Sequence, residues 1–172
     1  TCSTQFPLDA ASPIKDKDGK SVVQSMRTGG FAEKVLVHES QCVSVPKNIK
    51  MASASLLACG VITGFGAVTN TAKVPAGSHV VVIGTGGVGL NSIQGAQVSG
   101  ARTVIAIDVV DSKIEAAKDF GATHGINSKS EDVAARVLEI TGGHGADYVF
   151  VTVGVKSAFD SSYGMLAKSG SV

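Results

Sequence analysis

One stretch decides the fold: residues 79–89, HVVVIGTGGVG. Its first five residues, 79–83, would be apolar on both faces of a strand, a pattern typical of a parallel sheet covered by helices on both sides. Gly84 to Gly89 then fits G-x-G-x-x-G and opens a helix. The glycine string alone is a weak signal, but between a strand and a helix it predicts a dinucleotide-binding turn.

Each glycine of this turn has a separate expected role. Gly84 permits the tight turn, Gly86 lets a pyrophosphate approach the backbone, and Gly89 lets the helix pack on the strand. The helix begins at Gly87, where unpaired N–H groups and the positive end of the helix dipole can hold phosphates. We therefore expect backbone, rather than side chains, to bind the phosphates.

Asp108 ends the next predicted strand, about twenty residues beyond the turn, where this fingerprint expects an acid. Its carboxylate can accept hydrogen bonds from both hydroxyls of an adenosine ribose, and its charge would repel a 2′-phosphate. The pattern therefore favours NAD over NADP. The alternative is that Asp108 merely caps the following helix, but Asp111 and Ser112 are better placed for capping.

Outward from this stretch the chain alternates short apolar strands with longer amphipathic segments. The expected strands are 79–83, 103–108, 125–127 and 147–151, and the expected helices are 87–99, 112–120, 131–140 and 157–167. This alternation predicts an α/β fold, a Rossmann-type doubly wound parallel sheet. A complete six-stranded domain would need roughly fifty more residues, so we expect a truncated sheet and, given the loop-rich start, a cut at both ends.

The first fifty residues show no such alternation, and their pattern predicts irregular chain with short strands at 31–37 and 42–45. From Met51 the pattern becomes helical, with interruptions at Gly60, Gly64 and Gly66. Met51 to Ala72 is uncharged and near membrane-spanning length, but Ser, Thr, Ala and Gly dominate it. We therefore expect a buried helix packed through its small residues, and no membrane partner.

Composition narrows the class of protein further. The chain has 172 residues, 44% hydrophobic and 17% charged, and a formal net charge of +1. Lys and Arg are scattered, which argues against nucleic-acid binding. Three cysteines make no disulfide framework and no charged-then-apolar pattern is visible in the first residues given, so we expect a cytoplasmic protein.

Two runs, residues 54–68 (ASLLACGVITGFGAV) and 74–84 (VPAGSHVVVIG), closely resemble the zinc-dependent alcohol dehydrogenases of the medium-chain dehydrogenase/reductase superfamily. Further matches are Lys113, Phe120 to Thr123 and Gly145 to Asp147. The resemblance extends from about residue 29 to the end. It implies that residues 1–50 are the C-terminal remnant of a GroES-like catalytic domain. Residues 51–172 would then be an NAD-binding Rossmann domain, truncated at its C-terminus.

The resemblance also implies roles for particular residues. Cys59 matches a ligand of the catalytic zinc, and its partners, a Cys and a His, are not in this chain. Without the resemblance, a lone Cys on an apolar helix reads as inert core. Cys59 and Thr63 are the candidate catalytic residues. The candidate cofactor-binding residues are Thr63, Gly84, Gly86, Gly87, Val88, Gly89, Asp108, Lys113, Thr152, Val153 and Gly154.

The remaining cysteines and histidines carry weaker expectations. Cys2 could be the last ligand of a structural zinc lobe that members of this family often carry, whereas Cys42 reads as strand core. None of the histidines lies in a matching motif: His38 and His144 read as loop or surface residues, and His124 as a turn residue.

The function implied is zinc-assisted hydride transfer between NAD(H) and a small-molecule alcohol, aldehyde or ketone. We expect a homodimer or homotetramer when full length, and no catalysis by the present chain alone. Two alternatives stay open: a zinc-free quinone or enoyl reductase, against which Cys59 and Asp108 argue, and a methyltransferase-like or non-catalytic Rossmann module.

Overall fold

The computed structural model describes residues 14–23, 30–35, 37 and 39–172. It forms two compact units, Thr1–Asn48 and Ile49–Val172. The expectations for Cys2 and His38 lie outside the described residues. The GroES-like identity expected of the first unit stays a prediction.

The described part of the first unit is mostly irregular. A turn is closed by an antiparallel bridge between Lys15 and Ser21, and a 3-10 helix spans Glu39–Gln41. The strands predicted at 31–37 and 42–45 are wrong over the described residues. No pairing partner for them lies in the described part of this unit, and Val43 is 86% exposed. Cys42 is likewise exposed, so its assignment to a strand core is also wrong.

The second unit contains a five-stranded parallel sheet in the order β3-β2-β1-β4-β5. The strands are β1 His79–Ile83, β2 Thr103–Asp108, β3 His124–Asn127, β4 Ala146–Val151 and β5 Leu166–Ser171. Residue pairs across the ladders include Ile83 with Ile107 and Ile83 with Val151. The carboxyl ends of β1, β2 and β4 therefore meet at one edge, and the predicted Rossmann-type α/β fold is confirmed.

Helices precede β1 and connect the strands that follow it. They are α1 Met51–Leu56, α2 Ile62–Gly66, α3 Gly87–Val98, α4 Asp111–Asp119, α5 Val133–Ile140 and α6 Lys156–Ser162, with π-helical turns at Leu57–Val61 and Ala67–Thr71 and a 3-10 turn at Tyr163–Met165. The helix predicted over 157–167 is wrong at its end, because β5 begins at Leu166. Leu166 pairs with Ala146 and Ser171 with Tyr148, so the exposed edge of β4 takes up this segment as a strand.

The core lies on both faces of the sheet, in two clusters. One face packs Val80, Val82, Val104 and Ala106 against Ile93 and Ala96 of α3. The opposite face packs Val81, Ile83, Ile105 and Ile107 against Val137 of α5 and Met165. Successive residues of a strand point to opposite faces, which explains why residues 80–83 of β1 and 104–107 of β2 are all apolar.

The apolar helical segment Met51–Thr71 is continuous and runs through Gly60, Gly64 and Gly66 without the predicted interruptions. It is long and apolar enough, by length and composition alone, to cross a membrane, and 11% of its most apolar window is buried. Met51 is 75% exposed and Ile62 63% exposed. The expected buried helix is therefore wrong over most of its length: its buried residues are Gly64 and Val68, on the side that packs against α3.

Candidate functional site

The turn after β1 requires glycine at its first position. Gly84 has a φ of +92°, a left-handed conformation that other residues rarely adopt. A Cβ built there would overlap the side chain of Val153 and lie 3.0 Å from Oγ1 of Thr152. The Gly84 N–H donates to the carbonyl oxygen of Ile107 at 2.8 Å, which ties the turn to β2.

Gly89 holds the first turn of α3 tightly against this bend. A Cβ on Gly89 would overlap the carbonyl oxygen of Gly84. Gly86 and Gly87, by contrast, are exposed, and a Cβ on either would meet nothing within 4 Å. No side chain caps the N-terminus of α3, whose N-cap is Gly86. The space expected for a pyrophosphate is thus open and bordered by unpaired backbone N–H groups.

Asp108 at the end of β2 faces this turn. Its Oδ2 accepts hydrogen bonds from the N–H and the hydroxyl of Thr85, both at 2.9 Å. Its Oδ1 accepts from the N–H groups of Val109 at 2.8 Å and Val110 at 3.2 Å. The expectation that Asp111 or Ser112 caps α4 is wrong: the N-cap is Val110, without a side-chain bond. Asp108 instead binds the two N–H groups that immediately precede α4.

The surroundings of Asp108 favour its ionised form. Burial opposes ionisation, but the hydrogen bonds from Thr85 and Val109 and the positive charge of Lys113 outweigh it, so the pKa of Asp108 lies below its ordinary value. Lys113, exposed on α4, is thus close enough to act on this carboxylate. A negative charge is therefore fixed beside the open turn.

The segment after β4 closes the same site. The Thr152 N–H donates to the carbonyl oxygen of Ile83 at 2.9 Å. The Thr152 hydroxyl donates to the carbonyl oxygens of Ile83 at 3.0 Å and Gly84 at 2.9 Å. Val153 packs beside Gly84, and Gly154 is exposed with open space around it. The structure thus brings Thr152, Val153 and Gly154 to the glycine turn.

Two further candidates, Cys59 and Thr63, lie one helical turn apart on the apolar helix, and both are exposed. Thr63 precedes Gly64, where a Cβ would overlap the carbonyl oxygen of Val88 on α3. The helix that carries Thr63 therefore contacts the first turn of α3 directly. No cluster of three His, Cys, Asp or Glu side chains occurs in the described part of the chain. Cys59 is thus not joined there by the ligands that a zinc ion needs.

Thr85 also belongs to the site, although the sequence pattern did not predict it. It is only 3% exposed, and it forms two of the four hydrogen bonds to the carboxylate of Asp108. The sequence signal that could have indicated this contact is a residue with a hydroxyl group between the first two glycines of the fingerprint.

A second polar cluster, at the opposite edge of the sheet, was also missed. The carboxylate of Asp147 accepts from the His79 N–H at 2.7 Å and lies 3.0 Å from Nε2 of His144. His144 is exposed, as expected, whereas His124 opens β3 rather than lying in a turn.

Residues 87–172, half of the chain, match the family model described as zinc-binding dehydrogenase. The chain belongs to the zinc-binding dehydrogenase family. The match begins at the first residue of α3 and runs through the rest of the sheet, so the family assignment and the glycine turn concern the same part of the molecule.

Named relatives agree with this assignment. The chain is 42% identical over 147 residues to a probable S-(hydroxymethyl)glutathione dehydrogenase of Schizosaccharomyces pombe, covering 85% of the chain and 38% of the relative. It is 38% identical to a class-3 alcohol dehydrogenase of Oryza sativa, covering 84% of the chain and 38% of the relative. Among solved structures, an alcohol dehydrogenase zinc-binding domain protein from Burkholderia ambifaria superposes with a TM-score of 0.83 at 36% identity, covering 91% of the chain and 42% of its own. The chain thus spans about two fifths of these proteins.

Proposed function

We propose that this chain binds NAD(H) at the glycine turn, and that the whole protein interconverts an alcohol with an aldehyde or ketone by hydride transfer. One observation carries the cofactor proposal. An open, backbone-lined turn at Gly86 and Gly87 lies beside an ionised Asp108, whose Oδ2 is 2.9 Å from the N–H of Thr85. Membership of the zinc-binding dehydrogenase family and the names of its relatives support the reaction.

Different residues of the chain would bind different parts of the cofactor. The N–H groups at the start of α3 would bind the pyrophosphate, because they face open space and no side chain competes for them. Asp108 would accept hydrogen bonds from the adenosine ribose, with Lys113 beside it. Burial raises the pKa of Asp108, but its hydrogen bonds outweigh burial and keep the pKa below its ordinary value. Asp108 would therefore be charged at neutral pH and would repel a 2′-phosphate. NAD(H) should therefore bind more tightly than NADP(H).

The nicotinamide end would lie toward Thr63, Val88 and the segment after β4. Val153, 38% exposed, offers an apolar surface next to the turn, and the Thr63 hydroxyl stands on the helix that contacts Val88. These groups would orient the ring and keep water from one of its faces.

The family relationship also implies zinc, with Cys59 as one thiolate ligand. The described residues do not supply a complete set of ligands for this metal. We propose that the chain by itself binds the cofactor without oxidising alcohols. Alcohol-dependent reduction of NAD by the purified chain with added zinc would contradict this part.

Calorimetry with ADP-ribose tests the cofactor proposal. Gly86→Ala should fold normally, because its φ of −78° suits alanine and its Cβ meets nothing within 4 Å. The new methyl group would occupy the space expected for the pyrophosphate and should weaken ADP-ribose binding about tenfold or more, on the order of 1.4 kcal/mol. Gly30→Ala, also without neighbours within 4 Å, is the matched control. Equal affinity in wild type, Gly86→Ala and Gly30→Ala would contradict the proposal.

A further inference from the structure

The carboxylate of Asp108 has no free acceptor position. An ionised carboxylate offers about four lone-pair sites, and four donors fill them: the Thr85 N–H and hydroxyl on Oδ2, and the Val109 and Val110 N–H groups on Oδ1. Even one ribose hydroxyl that donates to the same two oxygens would be a fifth donor. The diol can bind with good geometry only if at least one existing donor leaves.

The donors differ in how easily they can leave. Three of them are backbone N–H groups, and the backbone around them is tied down, since the Gly84 N–H bonds to Ile107 at 2.8 Å and the Ser128 N–H bonds to the Asp108 carbonyl oxygen at 3.0 Å. The fourth is the Thr85 hydroxyl, which moves by rotation of one side-chain bond. It is therefore the donor that can give way without any change in the fold.

We propose that the hydroxyl of Thr85, which donates to Oδ2 of Asp108, competes with the nucleotide for this atom and is displaced when the adenosine ribose binds. The proposal rests on the cofactor-binding function proposed above. It makes Thr85 a positioning residue with two opposed effects: it orders the carboxylate before binding, and it lowers affinity for any ligand that must displace it.

This arrangement predicts opposite changes in stability and affinity. Thr85→Val keeps the shape of a side chain that is 3% exposed but removes the hydroxyl. It should lower the unfolding midpoint, because a carboxylate loses a hydrogen bond. It should also tighten ADP-ribose binding, by about threefold to tenfold, because one net hydrogen bond no longer has to be broken. A residue with a merely structural role would lower both quantities.

Calorimetry on the whole chain tests this with ADP-ribose, and with inorganic pyrophosphate as the matched ligand. Pyrophosphate carries no diol, so its affinity should be the same in wild type and Thr85→Val. Thr85→Ser, which keeps the hydroxyl, should bind ADP-ribose like wild type. Unchanged or weaker ADP-ribose binding by Thr85→Val would overturn the inference. If Asp108→Asn still weakens binding in that case, the proposed cofactor function survives; if wild type binds no ADP-ribose, both proposals fail.

A second measurement needs no variant and so does not depend on whether Thr85→Val folds. Three-bond NMR couplings report the side-chain rotamer of Thr85 in the wild-type chain. Saturation with ADP-ribose should move Thr85 to another rotamer, whereas saturation with pyrophosphate should leave it in place. One rotamer throughout the ADP-ribose titration would overturn the inference.

Discussion

The hydroxyl of Thr152, just beyond β4, donates to the carbonyl oxygen of Gly84 at 2.9 Å. The same oxygen atom, Oγ1, also lies 3.0 Å from the carbonyl oxygen of Ile83, and it is 2.9 Å from where a Cβ on Gly89 would stand. One side chain just after β4 thus fixes the end of β1, the glycine turn and the start of α3 relative to one another.

Removal of this hydroxyl should loosen the turn. Thr152→Val keeps the volume of the side chain but leaves the Gly84 carbonyl oxygen without its donor, and we expect the free energy of unfolding to fall by about 1 kcal/mol. ADP-ribose affinity should fall as well, because the N–H groups at the start of α3 lose their fixed orientation. Urea unfolding and calorimetry measure the two effects. Thr152→Ser is the control, and an unaltered urea midpoint in Thr152→Val would contradict the role assigned here.

The parts of the site that follow local rules could be predicted from sequence. Gly84 is needed for its positive φ and Gly89 for its close approach to the Gly84 carbonyl oxygen, both of which are local. Asp108 follows from its distance along the chain to the turn. The bond from Thr85 to Asp108 joins residues 23 positions apart through a side-chain rotamer, which no periodicity encodes. The start of β5 at Leu166, within the segment predicted to be helical, depends on pairing with β4. The exposure of Met51 likewise depends on which elements lie near it in space, and local sequence pattern does not encode such neighbours.

Gly64 and Gly66 provide a matched pair for the contact between the apolar helix and α3. A Cβ on Gly64 would overlap the carbonyl oxygen of Val88 and lie 2.9 Å from the N–H of Ser92, whereas a Cβ on Gly66 would meet only Asn70, at 3.7 Å. Gly64→Ala should therefore push the helices apart and destabilise the chain by about 2–3 kcal/mol. Gly66→Ala should instead stabilise it by up to about 1 kcal/mol, through better helix propensity. Thermal unfolding of both variants checks this, and a loss of equal size in the two would refute the close packing at Gly64.

Ser169, in β5, has a φ of 68°, in the left-handed region that costs a residue with a Cβ about 1–2 kcal/mol. Ser169→Gly removes this strain, although glycine loses more chain entropy on folding. We expect a net gain of about 0.5–1 kcal/mol in the free energy of unfolding. Ser171→Gly is the control, because Ser171 pairs with Tyr148 in the sheet and should lose stability when it becomes glycine. Chemical denaturation measures the free energy of unfolding of both variants, provided that the m-value is unchanged. A Ser169→Gly variant less stable than wild type would contradict the prediction.

His79 should make the stability of the chain depend on pH near neutrality. Its Nδ1 is buried without a hydrogen-bond partner in the described structure. Burial lowers the pKa of His79, assisted by the positive charges of His144 and Arg102 and opposed by Asp147. In the unfolded chain the imidazole of His79 therefore takes up a proton at about pH 6.5, whereas in the folded chain it does so only at a lower pH.

Stability contributed by neutral His79 is present above about pH 6.5 and is lost as the pH falls below it. His79→Val removes this titration and the unpaired nitrogen, and valine suits the first position of a strand. Unfolding free energies measured from about pH 7.5 to 5.5 should thus fall less steeply in the variant than in wild type. Asp147 adds no slope there: burial disfavours its charge, but hydrogen bonds from His79 and His144 outweigh this and lower its pKa, so its contribution is lost only in stronger acid. Parallel pH profiles for wild type and His79→Val would show that His79 is not the group responsible.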